Sequence, residues 1–173
     1  AIHNFCTVDL SSIYLDVMKD TMYAESKNKV ARRSAQTAMY EILKILVAMV
    51  SPVLSFTAEE VWKYMPKEDG MPESVMLIDW PQGHPEHYNQ ALADKWNQLL
   101  VLRSSIQKAL ETARQNKTIG HPLDASITVY ASGDALAALE ALGEEGLAKL
   151  VIVSEAHIST GEAPADAVAD EDT

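Results

Sequence analysis

The sequence contains little cysteine, no long apolar run and no cluster of glycines. Cys6 is the only cysteine among the 173 residues, so neither an intramolecular disulfide nor a cluster of thiolate metal ligands is possible. No run of roughly eighteen apolar residues occurs, which predicts no membrane-spanning helix. The seven glycines are scattered, so the chain has no glycine-rich loop to hold a phosphate. These absences weigh against a self-contained enzyme and favour a reducing, cytoplasmic location.

Signals for a metal site or a secretion leader are also weak. His84 and His87 stand close together in a proline-flanked segment, but structural zinc requires four ligands and no third ligand lies nearby in the sequence. The N-terminal segment AIHNFCTVDLSS lacks the basic start and the apolar block of a signal peptide. We therefore predict a chain without metal, without cofactor and without a secretion signal.

Negative charge dominates the composition and is concentrated at the C-terminal end. The chain has 25 acidic and 14 basic residues, a formal net charge of -11. Residues 134–173 contain ten acids and one base, a net of -9, so residues 1–133, with fifteen acids and thirteen bases, have a net of only -2. Because the screening length at physiological salt is about 8 Å, a distant acidic end does not cancel a local basic surface.

One local basic surface is indicated by the segment ESKNKVARRSAQT, residues 25–37. It carries four cations within seven residues: Lys27, Lys29, Arg32 and Arg33. Three of them fall at the predicted start of a helix, where the backbone dipole is positive and each cation costs up to about 0.3–1 kcal/mol. A partner with a phosphate backbone would offset that cost. The alternative is a solvated helix end, which most charge runs are.

Apolar periodicity predicts helices over most of the first 116 residues. Apolar residues recur at spacings of three and four over residues 5–24, 29–50 and 88–116, so each of these segments is predicted to be a helix. A shorter helix is predicted to start at Thr57, because Thr57 and Glu60 have the spacing of a capping box.

A helical wheel of residues 29–50 separates an apolar side from the basic residues. The apolar stripe comprises Ala35, Met39, Ile42, Leu46 and Met49. Arg33 lies opposite this stripe, Lys29 is well off it and Arg32 sits near its margin. Lys27, Lys29 and Arg33 are therefore predicted to be exposed, and the loss of Arg32 is predicted to cost packing as well as charge.

The second long helix also combines an apolar stripe with cations. Its stripe comprises Leu92, Trp96, Leu99, Ile106, Leu110 and Ala113. Arg103 interrupts the stripe, and Lys108, Arg114 and Lys117 lie on or just beyond the same helix. These cations belong either to an extension of the basic surface or to a solvated outer face.

The pattern changes after residue 122. Residues 126–131 alternate apolar and polar side chains as a half-buried strand does, a short helix is predicted from Asp134 and a second strand from Leu150. The last residues are acidic and poor in large apolar groups, which predicts disorder. The predicted fold is mainly α, with a helical bundle over 1–122, a small β-α-β junction module over 123–159 and a disordered acidic tail over 160–173.

Five blocks of the sequence resemble, in order, the anticodon-binding region of isoleucyl-tRNA synthetases. They are FCTVDLSSIYLDVMKDTMY, ARRSAQTAMYEIL, SPVLSFTAEEVWKYMP, ESVMLIDWP and ARQNKTIGHPLDASITVY, within residues 1–131. The sister valyl and leucyl enzymes share the helical bundle and the AEEVW pattern, whereas the first block favours the isoleucyl family and a bacterial source. The resemblance weakens in the β-α-β module.

The resemblance implies a role in tRNA binding rather than in catalysis. Members of the family activate isoleucine with ATP and Mg²⁺ on a catalytic domain, carry an editing domain and often hold zinc in a C-terminal module. The catalytic motifs HIGH and KMSKS and the cysteines of the zinc module do not occur in this sequence. The resemblance thus implies a non-catalytic fragment whose partners are tRNA-Ile and the catalytic and editing domains.

The RNA-binding residues predicted on this basis are all cations: Lys27, Lys29, Arg32, Arg33, Arg103, Lys108, Arg114 and Lys117. They are expected to contact the anticodon stem, since RNA helices are recognised mainly by shape and backbone. Two alternatives stay open: an anticodon-binding domain of a valyl or leucyl enzyme, and a helical protein-interaction domain without RNA function. Self-association is also expected, because the apolar pattern of the first helix runs up to Ile2 without a cap.

Overall fold

A computed structural model describes residues 1–165 and 167–169. The chain forms two compact units, Ala1–His87 and Tyr88–Thr173. Most of the described residues are helical, and the described strands are confined to the second unit. The predicted class, mainly α with a small β-containing appendage, is confirmed. None of the helices in the described ranges is long and apolar enough to cross a lipid bilayer.

The first unit begins with a helical segment whose central part is not α-helical. Helix α1 (Ile2–Asn4) continues into a π-helix (Phe5–Leu15), and helix α2 (Lys19–Tyr23) follows after a turn at Met18. The helix predicted over 5–24 is therefore present. The wider π-helical turn, however, removes the 3.6-residue period on which the predicted apolar side depends. None of the π-helical residues is buried.

Helices α3 (Val30–Val50) and α4 (Ser55–Tyr64) form the middle of the first unit. The start and end of α3 agree with the predicted bounds to within a residue. The predicted start of α4 at Thr57 is wrong, because the helical hydrogen bonds begin earlier: Ala58 N–H donates to Leu54 O at 2.8 Å. Thr57 therefore lies in the first turn of the helix and not at its cap.

The core of the first unit is built around Trp62 of α4. It comprises Val47, Ala58, Trp62, Met65 and Val75. The Trp62 indole N–H donates to Pro72 O at 3.1 Å, and the Lys67 ammonium lies 3.8 Å from the centre of the Trp62 ring. A buried ring, a satisfied N–H and a cation–π contact thus hold the loop after α4 against that helix.

The side of α3 that packs against this core is not the predicted stripe. The packing residues are Tyr40, Leu43, Val47 and Val50, whereas Ala35 is the only stripe residue that is buried. The other stripe residues are half-buried. Because α3 is apolar on two sides, helical periodicity does not decide which side meets α4.

The second unit is a long helix followed by a small α/β module. Its elements are α5 (Gln90–Gln115), β1 (Ser126–Tyr130), α6 (Gly133–Leu142), α7 (Glu144–Val151) and β2 (Glu155–Ser159). Asn89 caps α5 by accepting a hydrogen bond from Leu92 N–H at 3.0 Å. The strands pair in parallel, with Ser126 opposite Glu155. The predictions of α5 and β1 are confirmed.

The second strand begins later than predicted, and two helices rather than one connect the strands. Leu150 and Val151, predicted to start the strand, form the end of α7 and are buried there. Ile152 ends that helix in the left-handed conformation, with φ 60° and ψ 54°, which is uncommon for a β-branched residue. The apolar run LVIV is equally compatible with a buried strand and a buried helix end, so periodicity does not discriminate between them.

The compact units divide the chain differently from the predicted domains. The prediction joined α5 to a helical bundle over 1–122. In the structure, α5 instead belongs to the same compact unit as the α/β module. One reason is a long-range contact, since Arg103 of α5 donates a hydrogen bond to Leu150 O of α7 at 3.0 Å.

Part of the predicted acidic tail falls within the described residues. Residues 160–165 and 167–169 form neither helix nor strand, and Ala167 N–H donates to Pro164 O at 2.9 Å. Asp166 and residues 170–173 lie outside the described residues. The predicted disorder of the tail stays a prediction.

Candidate nucleic-acid interface

The basic cluster of Lys27, Lys29, Arg32 and Arg33 lies where the loop after α2 enters α3. Lys29 is the N-cap residue in an extended conformation, and its N–H donates to Ser26 O at 3.1 Å. No side chain caps α3, and no acidic residue occupies its first turn. The positive end of the helix dipole is therefore not compensated from within the helix.

Glu25 contacts two of these cations. Its carboxylate Oε1 lies 3.0 Å from the Lys29 ammonium, and its backbone carbonyl accepts a hydrogen bond from Arg32 Nη1 at 2.6 Å. The Glu25 side chain is 14% exposed, against 56% for Lys29. Lys29 and Arg32 are thus engaged by the protein itself. The role of Glu25 was not predicted from the sequence, because residues 25–29 form turns and not a helix, and the i, i+4 pairing rule applies to helices.

Lys27 and Arg33 are the cations of the cluster that remain available to a ligand. Both are exposed, and neither forms an ion pair within the part of the chain that the structure describes. The Arg33 side chain makes a long hydrogen bond, 3.4 Å from Nη1 to Gln36 Oε1. The predicted exposure of Lys27, Lys29 and Arg33 and the marginal position of Arg32 are confirmed.

Arg103 does not lie on the surface of the second unit. It is 7% exposed, and its guanidinium donates from Nε to Leu150 O at 3.0 Å and from Nη1 to Gln107 Oε1 at 2.9 Å. Its position within an apolar stripe was the sequence signal for burial. The prediction of a phosphate contact at Arg103 is therefore at odds with the structure.

Arg114 is exposed but is neutralised by Glu111. The two side chains form paired hydrogen bonds, from Arg114 Nε to Glu111 Oε2 and from Nη2 to Oε1, both at 2.8 Å. These bonds lower the pKa of the Glu111 carboxyl from 4.5 to about 2, and they raise the pKa of Arg114. A phosphate at Arg114 would have to compete with a carboxylate that stays ionised.

Lys108 and Lys117 present positive charge on the second unit. Both are exposed, and neither is in an ion pair within residues 1–165 and 167–169. Lys117 lies just past the end of α5 in the left-handed conformation, with φ 60°. Four of the eight predicted cations, Lys27, Arg33, Lys108 and Lys117, are thus exposed and form no ion pair with any residue that the structure describes. Such side chains are suited to phosphate contacts.

A metal centre has no candidate ligand set among the residues that the structure describes. The rings of His84 and His87 are stacked with their centres 5.1 Å apart, and His84 Nδ1 lies 2.9 Å from Glu86 Oε1. The Cys6 side chain is half-buried. The expected absence of a cofactor stays a prediction.

Residues 1–129 match the family described as the anticodon-binding domain of tRNA ligases, and the chain belongs to that family. Curated relatives are isoleucine–tRNA ligases. The chain is 47% identical to the enzyme of Syntrophomonas wolfei over 170 residues, 45% to that of Moorella thermoacetica over 166 residues and 47% to that of Bacillus cereus over 169 residues. These matches cover 95–98% of this chain and 18% of each relative. The resemblance to isoleucyl-tRNA synthetases is confirmed, and the matches extend into the α/β module.

Proposed function

We propose that this chain is the tRNA-binding module of an isoleucine–tRNA ligase and that it positions tRNA-Ile by its anticodon stem-loop. The observation that carries the proposal is the agreement among the three relatives, all isoleucine–tRNA ligases at least 45% identical over nearly the whole chain. The same agreement disfavours a valyl or leucyl enzyme. The matched family is itself defined by anticodon binding.

The exposed cations support this function through simple electrostatics. Lys27 and Arg33 in the first unit, and Lys108 and Lys117 in the second, can reach a phosphate without first breaking an ion pair to a described residue. Contacts of this kind fix the position of an RNA helix but do not distinguish its sequence. The acidic total of the chain does not prevent them, because screening confines each charge to about 8 Å.

The proposal places the chemistry of the ligase outside this chain. ATP, Mg²⁺ and isoleucine bind a catalytic domain, zinc binds a C-terminal module, and the catalytic and editing domains are the partners of this chain in the cytoplasm. This chain alone is accordingly expected to show no ATP–pyrophosphate exchange with isoleucine. Exchange above that of a heat-inactivated sample would contradict the assignment.

A titration of tRNA-Ile with this chain at several salt concentrations tests the proposal. Each neutralised phosphate contributes roughly 0.7–0.9 to the slope of log affinity against log salt concentration. The four exposed cations that pair with no described acid therefore predict a slope of about three in magnitude. Binding that does not depend on salt, or no binding at low salt, would reject the proposed function.

A second candidate function, docking of another protein, is favoured by exposed apolar side chains in the first unit. Val53 is 84% and Phe56 is 93% exposed around the turn that joins α3 and α4. An open groove of about 460 Å³ is bordered by Met18, Met22 and Met39, and methionine surfaces adapt to varied partners. The predicted self-association through the N-terminal helix is one form of such docking.

Sedimentation separates the two functions. Self-association through this apolar surface predicts a sedimentation coefficient that rises with protein concentration. Docking of either kind predicts an affinity that changes little with salt, since the contact does not involve charge. A chain that stays monomeric at high concentration and binds tRNA with a steep salt dependence would leave RNA binding as the function.

A further inference from the structure

We infer that Glu25 competes with RNA phosphates for Lys29 and so limits how tightly the basic cluster binds RNA of any sequence. The inference rests on the proposed function, because it requires an RNA ligand at the cluster. It assigns to Glu25 an effect that opposes binding, and it makes Lys29 a shared cation rather than a simple phosphate contact.

The Glu25 carboxylate is kept beside the cluster by its surroundings. Its side chain is largely buried, and its backbone carbonyl is anchored by the hydrogen bond from Arg32 Nη1 at 2.6 Å. Arg32 is itself half-buried near the start of α3. Burial of the side chain and anchoring of the backbone therefore confine the carboxylate to a position beside Lys29.

Lys29 is the accessible partner of this ion pair. Its side chain is more than half exposed, and its Nζ lies 3.0 Å from Glu25 Oε1. An ammonium group has three donors, so the solvent side of Lys29 can reach a phosphate. The phosphate and the carboxylate would then share one cation and repel each other. RNA binding through Lys29 therefore either breaks the ion pair with Glu25 or leaves the phosphate close to the carboxylate that repels it.

Lys27 and Arg33 are not subject to this competition, because neither contacts a carboxylate among the described residues. The formal charge of the cluster is +4 from its four cations and +3 when Glu25 is included. Phosphate contacts carry no sequence information. Glu25 therefore weakens the binding of tRNA-Ile and of an unrelated tRNA by the same factor.

The test measures the affinity of this chain for tRNA-Ile and for an unrelated tRNA over a range of salt concentrations. The Glu25→Gln variant is expected to bind both RNAs more tightly, with a slope steeper by roughly 0.7–0.9, because Lys29 becomes a full phosphate contact. In a Lys29→Gln background, Glu25→Gln is expected to leave the slope unchanged.

Glu145→Gln is the matched control. Glu145 also pairs with a lysine four residues later, at 2.9 Å from Lys149, and its loss removes the same charge from the second unit. Equal tightening by Glu25→Gln and Glu145→Gln would indicate a general charge effect and overturn the inference. A steeper slope from Glu25→Gln in the Lys29→Gln background, or weaker binding by Glu25→Gln in the parent chain, would overturn it as well.

Two further variants distinguish a failure of the inference from a failure to fold and from a failure of the proposed function. Glu25→Asp keeps the charge but shortens the side chain, so it is expected to release Lys29 and steepen the slope even where Glu25→Gln proves unfolded. An unchanged slope in folded Glu25→Asp would overturn the competition. Arg33→Gln tests the proposed function separately: a lower slope for Arg33→Gln, together with an unchanged affinity and slope for Glu25→Gln, would reject the inference alone. If Arg33→Gln leaves the affinity unchanged and the parent chain itself binds without salt dependence, the proposed function is rejected.

Discussion

Arg103 of α5 donates a hydrogen bond from Nε to the carbonyl oxygen of Leu150 at 3.0 Å, across 47 residues of sequence. Leu150 lies in the last turn of α7, where carbonyl groups lack partners within the helix and the helix dipole is negative. The buried guanidinium satisfies one of these carbonyls and complements the dipole. Arg103 is therefore a structural residue of the second unit.

Replacing Arg103 with methionine is expected to lower the free energy of unfolding by about 1–3 kcal/mol, because a buried carbonyl loses its donor. Urea denaturation of this chain measures the change. Lys108→Met on the exposed side of the same helix is the control, with an expected change within about 0.5 kcal/mol. Equal stability of the two variants would show that the contact to Leu150 contributes nothing.

Replacing Arg33 with glutamine is expected to lower the salt slope of tRNA binding by roughly 0.7–0.9, because Arg33 forms no ion pair with a described residue. Lys29→Gln is expected to lower it by less, since Lys29 is shared with Glu25. Both variants should weaken tRNA-Ile and an unrelated tRNA alike. Lys63→Gln, an exposed lysine on α4, is the control. A loss confined to tRNA-Ile would show that the cluster contacts bases instead.

A separate prediction concerns the melting temperature of the Arg33→Gln variant. Arg33 lies near the positive end of α3, so its removal should leave the melting temperature unchanged or raise it slightly, by the equivalent of up to about 0.3–1 kcal/mol. A clear decrease in melting temperature would indicate that Arg33 contributes to packing.

The Glu111–Arg114 contact predicts a dependence of stability on pH. The pKa of Glu111 in the folded chain is about 2, below its ordinary value of 4.5, so the folded state holds this proton less tightly than the unfolded state. The contact therefore contributes stability above the ordinary pKa and loses it as the pH falls toward 2. The contribution is small because both side chains are exposed to solvent.

Melting curves of the parent chain and of Glu111→Gln, recorded from neutral pH down to acid, measure this contribution. The difference in melting temperature between the two is expected to be constant near neutrality and to shrink in acid, where the parent carboxylate is protonated. A difference that stays constant down to the lowest pH would contradict the role of the ionised carboxylate.

Replacing Trp62 with alanine is expected to cost about 3–5 kcal/mol, because it empties the centre of the core and leaves Pro72 O without its donor. Trp80→Ala provides the control in the same unit, since Trp80 is exposed and its loss should cost within about 0.5 kcal/mol. Urea denaturation measures both variants. A Trp62→Ala chain that unfolds at the same urea concentration as Trp80→Ala would show that the core does not depend on the indole.

Local features of the sequence were sufficient to place most helices. The apolar period of α3 runs over more than five turns, and that of α5 over about seven, so the hydrophobic pattern alone places both helices. The start of α4 was missed because a capping-box spacing at Thr57 does not show where backbone hydrogen bonds begin. The packed side of α3 was missed because both its sides are apolar.

Contacts between distant residues were the part that sequence reasoning could not supply. Arg103 was recognisable as a charge within an apolar stripe, but nothing local identifies Leu150 as its acceptor. Glu25 lies four residues before Lys29 but outside any helix, and nothing local shows that its side chain is largely buried or that Arg32 anchors the same residue. The sequence therefore identified the exposed cations, but it did not show which cations form bonds within the protein.

The parallel pairing of β1 and β2 affects the order in which the chain folds during synthesis. Ser126 pairs with Glu155, 29 residues later, so the ladder cannot form until β2 has left the ribosome. The bond from Arg103 to Leu150 likewise waits for the end of α7. The core of the first unit, in contrast, ends at Val75 and its packing partner Ile78. The first unit can therefore become compact while the second is still being translated, and a pause before Leu150 would leave the buried arginine of α5 without its acceptor.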